Sequence, residues 1–219
     1  MEDIEAIAVL QDPVRRRLYE YVAAQDHEVS RNEAAEGAGI QRTLAAFHLD
    51  KLVDVGLLET ESRRLSGRSG PGAGRPAKLY RRSGIAHQFS VPVRDYRTAA
   101  DLLAEVAEVA RLDTELQAAA RREGRAARAA AGPVEDLAAA KVLLAARGYE
   151  PRMDDASGVL RLANCPFHLL SQRYPALVCG MNLALLDELL EDAEGLQACM
   201  DPRPGLCCVA VKSSKKNND

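Results

Sequence analysis

The chain has 219 residues, 47% hydrophobic and 28% charged, with aromatics at only 4% and no tryptophan. A formal net charge of −3 excludes polyanion binding through overall charge, so any nucleic-acid contact must come from a local patch. No run approaches the roughly 20 apolar residues of a membrane span. The acidic start MEDIEAIAVL lacks a signal-peptide pattern; a cytoplasmic protein, mainly α with small β (α+β), is expected.

In chain order, Asp12-Pro13 ahead of VRRRLYEYVAAQ predicts a capped helix start. Val14, Leu18 and Tyr21 or Val22 have the spacing of one buried face. Ser30 opens a second short helix, RNEAAEGAG, and Glu33 completes a capping box. Gly39 falls where a sharp turn needs positive φ. A third helix, in IQRTLAAFHLDKLVDVGLLE, turns Ala45, Leu49 and Leu52 inward and ends at Gly56.

Two polar, strand-like arms follow, around 58–64 and 77–82, flanking a Gly/Pro/Ser-rich tip. From Arg63 to Arg82 the charges are Arg63, Arg64, Arg68, Arg75, Lys78, Arg81 and Arg82, with no acid among them. Residues 1–84 carry 13 basic and 13 acidic side chains, so the positive charge is concentrated in this hairpin, where phosphates reward it by counterion release. Gly74-Arg75-Pro76 resembles the core of an AT-hook, whose arginine enters a narrow minor groove. A solvated basic loop touching phosphates alone accounts for it equally.

Short helix, glycine turn, longer helix is the helix-turn-helix plan. The span EAAEGAGIQRTLAAFHLDKLVDVGLL resembles winged helix-turn-helix regulators of the ArsR, MarR and DeoR kind. Its A-G-I turn, inward Ala45 and HLDKL-x-x-x-GLL ending carry the likeness. The resemblance implies a DNA-binding domain over 1–90, double-stranded operator DNA of palindromic sequence, and a homodimer. Gln41, Arg42 and Thr43 are expected at bases or phosphates, and Ala46 and Phe47 at thymine methyls. Arg63, Arg64, Arg68, Arg75 and Lys78 are expected at phosphates, and His48 is read as structural.

Residues 91–148 are almost wholly helix formers and read as a helical connector and dimerisation segment. Leu102, Val106 and Val109 make one stripe; Leu137, Val142, Leu144 and Ala145 make a broader one. Asp113 is placed to cap a helix, Gly132-Pro133 interrupts, and Gly148 ends the last helix. No catalytic constellation occurs.

All five cysteines lie between Cys165 and Cys208. Residues 149–212 read as β-β-α-β-β, a sensor domain with hairpins around Ala156-Ser157-Gly158 and Asp201–Gly205 and a helix opened by Pro175; 213–219 is a polar tail. Cys165 is expected to end the second strand, Cys179 to sit on the first turns of the helix, and Cys207 and Cys208 to begin the last strand. Strand alternation would then let only one of that last pair join a shared site. Three thiols meeting at one end of the sheet, with His168 as a fourth donor, suit an iron–sulfur cluster or zinc. Buried inert thiols and a thiol redox switch remain open. An enzyme is not expected, since Cys165 and His168 have no oxyanion element or orienting acid nearby.

The tract NCPFHLLSQRYPALVCGMNLALLDELLE followed by PGLCCVAV resembles the C-terminal domain of the SufR-like iron–sulfur regulators of actinobacteria. That likeness implies a repressor with cluster ligands at Cys165, Cys179 and one of Cys199, Cys207 and Cys208. A regulator with a structural zinc, or with a small-molecule-responsive C-terminal domain, is the alternative.

Overall fold

Residues 2–63, 76–193 and 195–213 are described by a computed structural model, which divides into a unit ending at Arg94 and a unit beginning at Asp95. Each is taken separately below. Among the described residues no helix is long and apolar enough to cross a membrane.

The first unit runs α1 (Glu2–Val9), α2 (Pro13–Ala24), β1 (Val29–Ser30), α3 (Arg31–Ala38), α4 (Arg42–Asp54), β2 (Leu58–Arg63) and β3 (Ala77–Arg82). The expected caps form. Asp12 accepts from the Val14 and Arg15 N–H groups ahead of Pro13, and Ser30 and Glu33 make the reciprocal capping box. Gly39 ends α3 at φ 64°, a left-handed turn closed without a Cβ penalty. Leu18, Val22, Ala45, Leu49 and Leu52 share one core with Ala6, Val29 and Tyr80. α1 was not expected; its Ala6 is fully buried there. β2 and β3 pair antiparallel from Leu58↔Arg82 to Arg63↔Ala77, and β1 adds a short third strand to β3.

The second unit runs α5 (Tyr96–Val109), α6 (Asp113–Ala131), α7 (Leu137–Ala146), β4 (Pro151–Asp154), β5 (Val159–Leu162), α8 (His168–Arg173), α9 (Pro175–Leu189), β6 (Leu196–Met200) and β7 (Val209–Ser213). The sheet is antiparallel in the order β4-β5-β7-β6. α8 was not expected; it makes the order β-β-α-α-β-β. The main core joins Ala140, Leu144 and Tyr149 to Leu160, Leu162, Leu186, Leu189, Val209 and Val211.

α6 lies close against α9 because its inward residues are Ala120, Gly124 and Ala127. A Cβ on Gly124 would stand 2.6 Å from the Leu185 carbonyl oxygen, so only glycine permits this approach. Arg128 fastens the pair, donating to the Glu188 carbonyl at 2.8 Å and pairing with Asp192 at 3.1 Å.

Three local expectations are corrected. Asp113 is the first residue of α6, whose N-cap is Leu112, and makes no capping bond. Val142 is 72% exposed, because α7 turns inward at Ala140 and Leu144, four residues apart, and Val142 falls on the far side. Cys165 lies past the end of β5, and Cys207 and Cys208 precede β7 rather than opening it.

Candidate nucleic-acid interface and thiol site

α4 presents a distinct outer face. Gln41, Arg42, Thr43 and Phe47 are exposed, Phe47 at 57%, and Ala46 is half-buried beside them. Leu44 and Lys51 share that face with Thr43 and Phe47, at helical spacing; the sequence reading left them out, although that spacing carried the signal. Gln41, the N-cap of α4, makes no side-chain capping bond, and the first-turn N–H groups have no intrahelical partner. His48 is buried, with the Phe47 ring edge-on to it at 5.3 Å.

The basic hairpin is only partly free. Arg63 pairs with Glu28 at 2.9 Å, Arg81 with Glu59 at 2.9 Å, and Lys78 with Asp50 at 2.7 Å. Arg42 has no ion-pair partner among the described residues. Arg64, Arg68, Arg75 and the Gly74–Pro76 motif lie outside the described residues.

Asp50 holds α4 to this hairpin. Tyr80 receives the Arg31 Nε–H at 2.8 Å and donates its hydroxyl to Asp50 Oδ1 at 2.9 Å, the same oxygen that takes Lys78. Burial disfavours the Asp50 carboxylate, but bonds from Lys78 and Tyr80 more than offset it and hold its pKa below the usual range. Burial and Asp50 push Tyr80 up to about 12. α3, α4 and β3 are thereby locked through one polar knot that no sequence motif announced.

In the second unit Cys165 packs against the core that holds Cys207. Cys165 and Cys207 act on each other's titration, Cys208 and Cys165 on that of Cys179, and Cys208 on that of Cys207. Both late cysteines therefore act on the thiols singled out by the sequence. They lie in the loop before β7, where strand alternation does not constrain them. Cys199 stands apart, its thiol on the Ala210 carbonyl within the β6–β7 ladder. His168 is exposed on α8 and accepts from the Gln172 amide at 3.0 Å. Among the described residues no group of three or more His, Cys, Asp or Glu is placed to hold a metal ion.

Cys207 pulls the Cys165 thiol down to about 7, against its burial, with the Phe167 N–H and Ser171 adding to it. The same contact and burial push Cys207 up. Burial, then Cys208, pushes Cys179 up to about 12. Beneath them Asn182, 2% exposed, donates its amide to Cys207 Sγ at 3.4 Å and accepts the Tyr149 hydroxyl at 2.6 Å. A polar side chain this deep costs stability unless bonded, and Asn182 has partners on both ends of its amide.

A family model described as a helix-turn-helix domain matches residues 10–61, from the turn before α2 into β2. No curated protein and no solved structure gives a significant match to the chain. The first unit is a winged helix-turn-helix domain of a DNA-binding transcriptional regulator.

Proposed function

We propose that the chain is a homodimeric transcriptional repressor whose C-terminal unit senses redox state or iron–sulfur supply through Cys165, Cys179, Cys207 and Cys208. What supports this is the mutual electrostatic influence of Cys165, Cys179, Cys207 and Cys208, drawn from three chain segments, in which Cys199 has no part. The donors have the chemistry of a thiolate-held group, with one thiol lowered to about 7 and proline after Cys165, but the thiols would have to close up to share it. His168 would have to leave Gln172 to join. A bound cluster supplies redox sensitivity and a strong tie among its thiolates.

The chain's own part is mechanical. The Cys165–Cys207 pair joins the ends of β5 and β7, and the Cys179–Cys208 pair joins α9 to the same loop. Drawing the pairs together or releasing them shifts α9, against which α6 packs through Gly124. In the dimer that shift alters the spacing of the two recognition helices. Half-sites one helical turn apart, about 34 Å, do not tolerate it.

Iron, sulfide and zinc analysis of anaerobically isolated protein is the test, beside operator binding at fixed salt. Iron with sulfide, lost in Cys165→Ser and Cys179→Ser but kept in Cys199→Ser, is expected. Zinc in colourless protein selects the structural-zinc alternative. A metal-free protein that forms a reversible Cys165–Cys207 disulfide selects a dithiol switch, the reading favoured by the lowered Cys165 thiol beside its partner. Equal operator binding by loaded and metal-free protein ends the sensing proposal.

A further inference from the structure

We propose that the outer face of α5 is a self-association surface, covered by the same face of a second copy of this chain. This rests on the homodimer in the proposed function and assigns its surface.

α5 is built inside out. None of its residues is buried, and the side it turns to its own unit is small: Ala104 and Ala107 pack against Tyr174, Leu177 and Val178. Its large apolar side chains point away. Tyr96 is 75% exposed, Leu102 59%, Leu103 72%, Val106 63% and Val109 80%. At 3.6 residues per turn Leu102, Val106 and Val109 form one stripe with Leu103 beside it. A helix of a monomeric unit turns such a stripe inward; this one spends its alanines there.

The size of the face fits a second copy. At about 100 Å² of apolar surface per large side chain, the five amount to roughly 500 Å² per chain. A two-fold pair would bury about 1,000 Å², the lower bound for a specific interface. The pairing is isologous, so an apolar face meets itself, with Glu105 at its edge beside Leu102 and Val109. The charges on α5 are Arg97 against Asp101, Glu105 and Glu108, with Asp101 engaged by Arg173. That acidic excess disfavours an anionic lipid surface or nucleic acid as the occupant.

Sedimentation equilibrium of the full chain, metal-free, tests this. The wild type is expected to be a dimer. Leu103→Glu/Val106→Glu places unpaired charges in the contact, and its self-association is expected to weaken roughly 100-fold with an unchanged circular-dichroism melt. Leu102→Ala/Val109→Ala, which adds no charge, is expected to weaken it about 10-fold and stands in if the first variant misfolds. A wild-type monomer, or a folded Glu variant that stays dimeric, overturns the proposal. A monomer that floats with phosphatidylserine vesicles overturns it in favour of lipid. Cys165→Ser/Cys179→Ser protein that binds no metal yet remains dimeric leaves this proposal standing whatever becomes of the sensing one.

Discussion

The Tyr149 hydroxyl donates to Asn182 Oδ1 across 2.6 Å, and this one bond decides that the amide's N–H end faces Cys207 Sγ. Both residues are at least 98% buried, so neither has water to replace the other. Asn182→Leu and Tyr149→Phe are each expected to cost about 1–3 kcal/mol, because each strands a buried polar group. The double variant strands neither and should recover part of the sum. Urea unfolding of the four proteins gives the coupling, expected at about 0.5–3 kcal/mol; strict additivity would show that the bond does not exist.

Arg42 and Lys78 carry the same charge but should not count alike on DNA. Arg42 is exposed on α4 without an ion-pair partner among the described residues, whereas Lys78 already serves Asp50. Arg42→Ala is expected to weaken operator binding and to lower the slope of log K against log salt by about one. Lys78→Ala should change that slope less while loosening the polar knot. Fluorescence anisotropy across a salt series decides between them; equal slope changes contradict the difference.

Gly124→Ala brings a methyl group within 2.6 Å of the Leu185 carbonyl oxygen and 2.8 Å of Glu188 Cβ. Backbone cannot swing aside as a side chain would, so α6 must move off α9. A loss of about 1–3 kcal/mol is expected from overpacking, despite alanine's higher helix propensity. A stability equal to or above wild type in thermal unfolding would refute the close approach.

The Asp50 carboxylate gives the first unit an acid-sensitive component. Its pKa is lower in the folded chain than in the unfolded one. The stability it contributes is thus present above the unfolded value and is lost as pH falls through the folded value. Asp50→Asn should be less stable than wild type at neutral pH, and the gap should close below about pH 4, the ordinary carboxylate range. The carboxylate is 44% exposed, so the gap is small. A gap that widens on acidification would reverse the sign.

Some of this architecture was plain in the residues. Asp12-Pro13, Ser30 with Glu33, and Gly39 name their own positions, because capping and left-handed turns are local bonds with local sequence needs. Ala45, Leu49 and Leu52 named the inner face of α4 by spacing alone, and the hairpin arms agreed within a residue. Cys165, Cys179, Cys207 and Cys208 were named together as candidate ligands, but which of them act on one another was not legible, and His168, offered as a donor, lies exposed on an unforeseen helix.

The sequence by itself determined the helix-turn-helix, the basic hairpin, and a cysteine-bearing C-terminal sheet, since each is written in periodicity, turn chemistry or composition over a few neighbouring residues. Only the tertiary structure decided that Asp50 is shared among Lys78, Tyr80 and Arg31, that Cys207 and Cys208 lie in the loop before β7, and that α5 faces its large side chains outward. Those are contacts between residues tens of positions apart. Their partners are chosen by how the elements pack, a choice no local pattern records.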